Sequence, residues 1–208
     1  MTPSCSTITH DDRRHSAGRL LVATVVSLCV SLPGAHLAAA ADPAPSPQVS
    51  VQEERGTYTV TARFEVPQSP EIVLAVLSDY EEIPRFMPDV RKSVVHERAQ
   101  GRLVVEQEAV SRFMMFSKRI HLLLEVSERG GSLQFVDRCG KSFKTYEGAW
   151  RVEPKGHGSL VTYELSAQPG FDVPEFILKR LLKRDSAQLI NRLRTEFAAR
   201  ATRNAPGQ

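Results

Sequence analysis

The sequence predicts an α+β fold, a curved antiparallel sheet of about seven strands wrapped around one long C-terminal helix, with two short helices after the first strand. Three observations carry that expectation. Tyr58 to Val66 alternates apolar and polar residues, Ser69-Pro70 opens a short apolar helix that leads into the run Asp79 to Pro88, and the segment after Pro174 holds an apolar stripe at helical spacing. Elements in this order enclose a hydrophobic pocket.

In the first strand Tyr58, Val60, Ala62, Phe64 and Val66 alternate with Thr59, Thr61, Arg63 and Glu65, the period of two of a strand with one dry face. Ser69 and Pro70 supply an N-cap and a first-turn proline, and Ile72, Val73, Val76 and Leu77 form the stripe of the helix. A second short helix or turn falls around Tyr80 to Phe86, bracketed by Pro84 and Pro88. Further strands follow over Val90 to Arg98, Arg102 to Ser111, Lys118 to Ser127, Ser132 to Asp137, Lys144 to Glu153 and Ser159 to Gln168. Gly101, Gly130-Gly131, Gly140 and Gly156-His157-Gly158 punctuate them, and connections this short favour antiparallel hairpins. Alternation assigns the inward rows to Ile120, Leu122, Leu124 and Val126, to Tyr146, Gly148, Trp150 and Val152, and to Val161, Tyr163 and Leu165. A sheet with one apolar face needs a cover.

The C-terminus supplies it. Asp172 and Glu175 frame a capping box across Pro174, and a helix runs to about Arg200, roughly 40 Å at 1.5 Å per residue. Leu178, Leu182, Ser186, Leu189, Leu193 and Phe197 fall on one stripe, which faces the sheet.

The N-terminal stretch reads as an address. Arg13, Arg14 and Arg19 precede a short apolar run, Leu20 to Leu32, that ends in Ala38 to Ala41, the pattern of a secretory signal over 1–41 with cleavage before Ala41 or Asp42. The run is short of the ~20 apolar residues of a spanning helix. A proline-rich flexible linker over 42–50, a domain over 51–201 and a disordered tail over 202–208 complete the expected organisation. After cleavage the charge is nearly balanced, which gives no case for a nucleic-acid partner. Cys5 and Cys29 leave with the signal, so Cys139 is expected to have no internal disulfide partner. Oligomeric state is not legible.

The segment Leu77 to Val90, read as Leu-Ser-Asp-Tyr-Glu-Glu-Ile-Pro-Arg-Phe-Met-Pro-Asp-Val, resembles the signature of the polyketide cyclase/dehydrase and coenzyme Q-binding branch of the START-like superfamily. The run Glu147 to Pro154, then Thr162 to Leu165 and the basic helix after Pro174, is similar to the same family, so the resemblance covers Val51 to Arg200. It implies the START-like, helix-grip fold and a cavity between the curved sheet and the last helix that takes lipids, quinones, polyketides or other apolar molecules. No prosthetic group is implied. One departure stands out: the position after Pro88, often aromatic in the quinone-binding relatives, is Asp89.

His96, His121 and His157 each stand on a strand or in a glycine turn without a partner at metal-ligand spacing, so no metal site is expected. His121 falls in the row opposite the inward one and is expected to face solvent. Neither a phosphate loop nor a nucleophile elbow occurs, and no catalytic residue is singled out. The candidate pocket residues are Tyr80, Phe86, Met87, Trp150, Tyr163, Leu182 and Leu189, with Trp150 and Tyr163 each offering a wall and one hydrogen-bonding group. Gly148 leaves room for a ligand or for close approach of the helix.

Phe113, Met114, Met115 and Phe116 sit where a hairpin tip should be polar, either buried or standing at a pocket lip or membrane surface. Phe176, Ile177, Lys179, Arg180, Lys183 and Arg184 mix apolar and basic residues at the start of the last helix, as in helices that dock on anionic membranes or in helix faces whose long cationic stems cover apolar surface. The expected function is an exported, periplasmic carrier that binds a lipid, quinone or other apolar small molecule. The alternatives are an aromatase/cyclase-type enzyme and an interaction module with a vestigial cavity.

Overall fold

The computed structural model describes residues 47–99, 102–113 and 116–204. The expected signal segment, most of the linker, and Met114 and Met115 lie outside the described residues. Strand β1 (Gln48–Glu54) and β2 (Thr57–Val66) lead to α1 (Pro70–Leu77), a single 3-10 turn at Tyr80–Glu82, and α2 (Ile83–Phe86). Then come β3 (Val90–Ala99), β4 (Arg102–Phe113), β5 (Phe116–Arg129), β6 (Ser132–Asp137), β7 (Phe143–Lys155), β8 (Gly158–Pro169) and α3 (Glu175–Asn204). The helix-grip fold is present as an eight-stranded antiparallel sheet in the order β1-β2-β8-β7-β6-β5-β4-β3.

Two boundaries differ from expectation. The eighth strand is β1, which starts at Gln48 inside the stretch read as linker and pairs Val51 with Val60. Its hairpin turns on Arg55 and Gly56, both at positive φ (51° and 81°), the backbone of a two-residue turn matched to strand twist. At the other end α3 continues to Asn204, into the expected tail.

The dry face is built as alternation dictates. Tyr58, Val60, Ala62, Phe64 and Val66 are all buried, as are Val161, Tyr163 and Leu165 on the neighbouring β8. Val73, Val76 and Leu77 of α1 pack on them with Ile190, Leu193 and Phe197 of α3. Register shifts at Val90/Lys92 and Val95/Glu97 between β3 and β4 mark irregularities of the kind that bend a sheet.

Helix α3 is held unevenly along its length. Its first turn folds onto the Pro174 carbonyl, which accepts from Ile177 (3.0 Å) and Leu178 (3.1 Å). The expected Asp172–Glu175 capping box is not formed, and Glu175 pairs with Lys179 at 2.5 Å. Near the other end Glu196, 4% exposed, accepts from Arg85 of α2 (2.6 Å) and Arg203 (2.7 Å), while Arg200 reaches Asp79 at 2.7 Å. The C-terminal half is thereby clamped to the segment that follows α1. Leu182 and Leu189 in the N-terminal half are only half-buried.

Candidate functional site

Between the N-terminal half of α3 and the inner face of β4 to β8 lies a cavity of about 550 Å³, within the ~300–1,000 Å³ range of small-molecule sites. Tyr80 from the 3-10 turn, Phe86 and Met87 from the end of α2, Trp150 of β7, Tyr163 of β8, and Leu182 and Leu189 of α3 all line it. Trp150 and Tyr163 are direct partners across β7 and β8, and their rings stack with centroids 4.2 Å apart. Such pairs contribute about 0.5–1.5 kcal/mol beyond area burial.

The back wall adds Tyr146, already on an inward row by alternation, and Phe135 of β6. Tyr146 packs against Phe143 (4.9 Å) and Phe135 (5.9 Å), and Phe135 and Tyr146 both line the cavity. The Phe135 ring occupies the space that Gly148 leaves: a Cβ on Gly148 would stand 2.6 Å from it and 2.3 Å from the Glu164 carbonyl. The glycine therefore admits a cross-strand aromatic ring and not the ligand or the helix. Phe135 was legible as the alternate of Leu133 on β6.

The tyrosines of the interior stay protonated. Burial, then the hydrogen bond that Tyr80 donates to Glu128 at 2.7 Å, pushes the Tyr80 phenol far above its ordinary value. Burial raises Tyr163 strongly and Tyr146 to about 12. They are neutral polar groups in an apolar chamber. Charge among the described lining residues is confined to Asp89, Arg112, Arg184, Asp185 and Arg192, which form the rim. Ser111 donates to Asp185 (3.3 Å), and Arg184 pairs with Asp185 (2.7 Å) and donates to the Arg112 carbonyl (2.7 Å). Burial raises the Asp185 carboxyl above its ordinary value, against the opposing pull of Arg184.

This fold, closed over an apolar chamber by its last helix, has an assigned family. Residues 66–194 match the family of polyketide cyclase / dehydrase and lipid transport proteins. The chain belongs to that family. As a START-like, polyketide-cyclase-type ligand-binding domain it shares its fold with several solved structures. Zhui aromatase/cyclase from a Streptomyces species superposes with TM-score 0.62 at 15% identity, over 73% of this chain and 99% of that one. A STAR-related lipid transfer protein from Xanthomonas axonopodis gives 0.57 at 15% identity, over 74% and 99%. A Thermus thermophilus protein gives 0.58 at 23% identity, over 68% and 97%. At these identities the likeness is one of fold. No curated protein matches the sequence.

The start of α3 is more mixed than its composition implies. Phe176 is 73% exposed and Arg180 and Lys183 are exposed, whereas Lys179 is engaged by Glu175 and Arg184 by Asp185. Ile177 is half-buried. Among the described residues no helix is long and apolar enough to cross a membrane.

On the opposite face of the sheet the structure corrects the reading of His121. Its side chain is 16% exposed rather than solvent-facing, and Glu106 and Glu108 lie beside it, at 3.6 Å and 3.9 Å from its two ring nitrogens. The three could together reach one cation. Glu106 already carries one: Lys92 donates to it at 2.7 Å and His96 contacts it at 2.9 Å, and these two hydrogen bonds hold its carboxyl below the ordinary range. The cluster is an ion-pair network that joins β3, β4 and β5. Cross-strand adjacency created it, since Glu108 pairs directly with His121.

Proposed function

We propose that the protein is an exported, periplasmic carrier that binds and shields a lipid, quinone or other apolar small molecule beneath its last helix. The observation that carries this reading is the chamber itself: about 550 Å³ walled by aromatic and aliphatic side chains, with its charged groups gathered at the rim. Affinity comes from apolar burial, about 25 cal/mol per Å² removed from water. Entry is by displacement of the N-terminal half of α3, since the other half is clamped through Glu196. Export rests on the signal-like N-terminus, and docking on a membrane rests on Phe176 with Arg180 and Lys183.

The test is native mass spectrometry with organic extraction of protein purified without detergent from the periplasm of its own host. A reproducible co-purifying lipid or quinone is the expected result; an empty chamber in folded protein overturns carriage.

A second reading, a cyclase-type enzyme, is favoured by Asp185 alone. It is a partly buried carboxyl of raised pKa at the cavity rim, the kind of group that donates a proton. Turnover of a poly-keto chain that Asp185→Asn abolishes would establish it.

A further inference from the structure

The rim is a connected arc of ion pairs with unequal bonds. Arg184 and Asp185 are closely matched and neutralise each other. Asp89 is left to serve two guanidiniums, with Arg112 at 3.5 Å and Arg192 at 3.9 Å. Both distances exceed the ~2.7–3.2 Å of a hydrogen bond. Among the described lining residues three arginines face two aspartates, so the lining carries one more positive than negative charge, and the two arginines that share Asp89 hold forked donors suited to a planar or tetrahedral oxyanion. Behind them the described lining offers only neutral serine, tyrosine, tryptophan and glutamine groups among apolar walls.

Resting on the carrier reading, we infer that the ligand is an amphipath with one apolar body inside the chamber and an anionic head, a carboxylate or a phosphate, seated between Arg112 and Arg192. The head replaces Asp89 as the partner of both guanidiniums, and the apolar body fills the space under Leu182 and Leu189. A cationic head meets the surplus arginine charge, and an uncharged head leaves the two forks as they are. Arg192 is about one-third exposed, so an ion pair formed there is only partly screened by water.

Trp150 is the only tryptophan of the chain and lines the chamber, so its fluorescence reports occupancy. The full chain is titrated with palmitate, with palmitoyl lysophosphatidate and with hexadecanol below their aggregation limits, and equilibrium dialysis of the same probes backs the optical signal. The better anion is expected to bind about tenfold or more tighter than hexadecanol, the equivalent of one charge-assisted hydrogen bond. Whichever of the two leads identifies the source as a carboxylate or a phosphate head.

In the double variant Arg112→Gln, Arg192→Gln that ratio is expected to fall close to one. In Asp89→Asn, which releases both arginines, it is expected to rise. A ratio near one in the unaltered chain, or one that the double variant leaves intact, overturns the anionic head and leaves the carrier standing. Failure of all three probes to bind overturns the carrier reading itself.

Discussion

Arg85 and Glu196, 111 residues apart in sequence, meet at 2.6 Å and join α2 to the last helix at a site where Glu196 is almost wholly buried. Arg203 donates to the same oxygen at 2.7 Å and Arg200 stands 3.9 Å away. Burial alone pushes the Glu196 carboxyl up, but the hydrogen bonds from Arg203 and Arg85 outweigh it and hold the carboxyl below the usual range.

The pH dependence of this contact has a definite sign. A carboxyl whose folded pKa is depressed contributes stability above its unfolded pKa and loses it as pH falls through the folded value. Glu196→Gln is therefore expected to cost about 1–2 kcal/mol at pH 7, since Arg85 and Arg203 are each about half exposed and return to water when the charge is removed. The difference from the unaltered protein should shrink toward strongly acidic pH. Urea unfolding at both ends of that range measures it, and a cost that does not change with pH would contradict the depressed carboxyl.

Trp150→Ala removes one wall of the chamber and the stacked partner of Tyr163. On the carrier reading, affinity for an apolar probe such as hexadecanol, measured by equilibrium dialysis, is expected to drop by about tenfold, in keeping with an aromatic contact surface of this size. Unfolding should remain a single cooperative transition. Unchanged affinity for the probe in a folded variant would remove Trp150 from the site.

Gly148→Ala drives a methyl group against the Glu164 carbonyl and the Phe135 ring. The ring can turn aside but the backbone oxygen cannot, so the variant is expected to lose about 1–3 kcal/mol, the usual cost of overpacking. A thermal melt within a degree of the parent would show that the β7–β8 backbone yields without penalty.

Phe176→Ser exchanges the most exposed large apolar side chain among the described residues for a polar one. If this end of α3 docks on anionic bilayers, co-sedimentation with phosphatidylglycerol vesicles should fall several-fold while the melting temperature stays put. Equal sedimentation of both forms would exclude Phe176 from any membrane contact.

The inner face was legible because burial writes itself as alternation. Leu122, Leu124 and Val126, and Val161, Tyr163 and Leu165, read as inward rows and are buried. The seven pocket candidates line one cavity because ring-bearing inward residues gather where α3 stands off the sheet. What stayed hidden depends on pairing across strands or between distant segments. β1 has only Val49 and Val51 to mark it, both half-buried at an edge, after a run of prolines. The rim was missed because Ser111, Arg112 and Asp185 look like ordinary solvated positions until the hairpin and α3 meet. Glu196 likewise reads as a surface residue until three arginines from two elements close over it.

The half-buried chamber positions Leu182 and Leu189 of α3 are interleaved with the core positions Leu178, Ile190 and Phe197, so one helix serves two kinds of change. Substitutions at Leu182 and Leu189 can alter the chamber wall without touching the fully buried side chains of Ile190 and Phe197, and substitutions at Arg200 and Arg203 can adjust robustness without reaching the chamber lining. On the proposed carrier reading, exchanging only the two wall positions between relatives is a direct route to transplanting ligand preference while the scaffold stays constant.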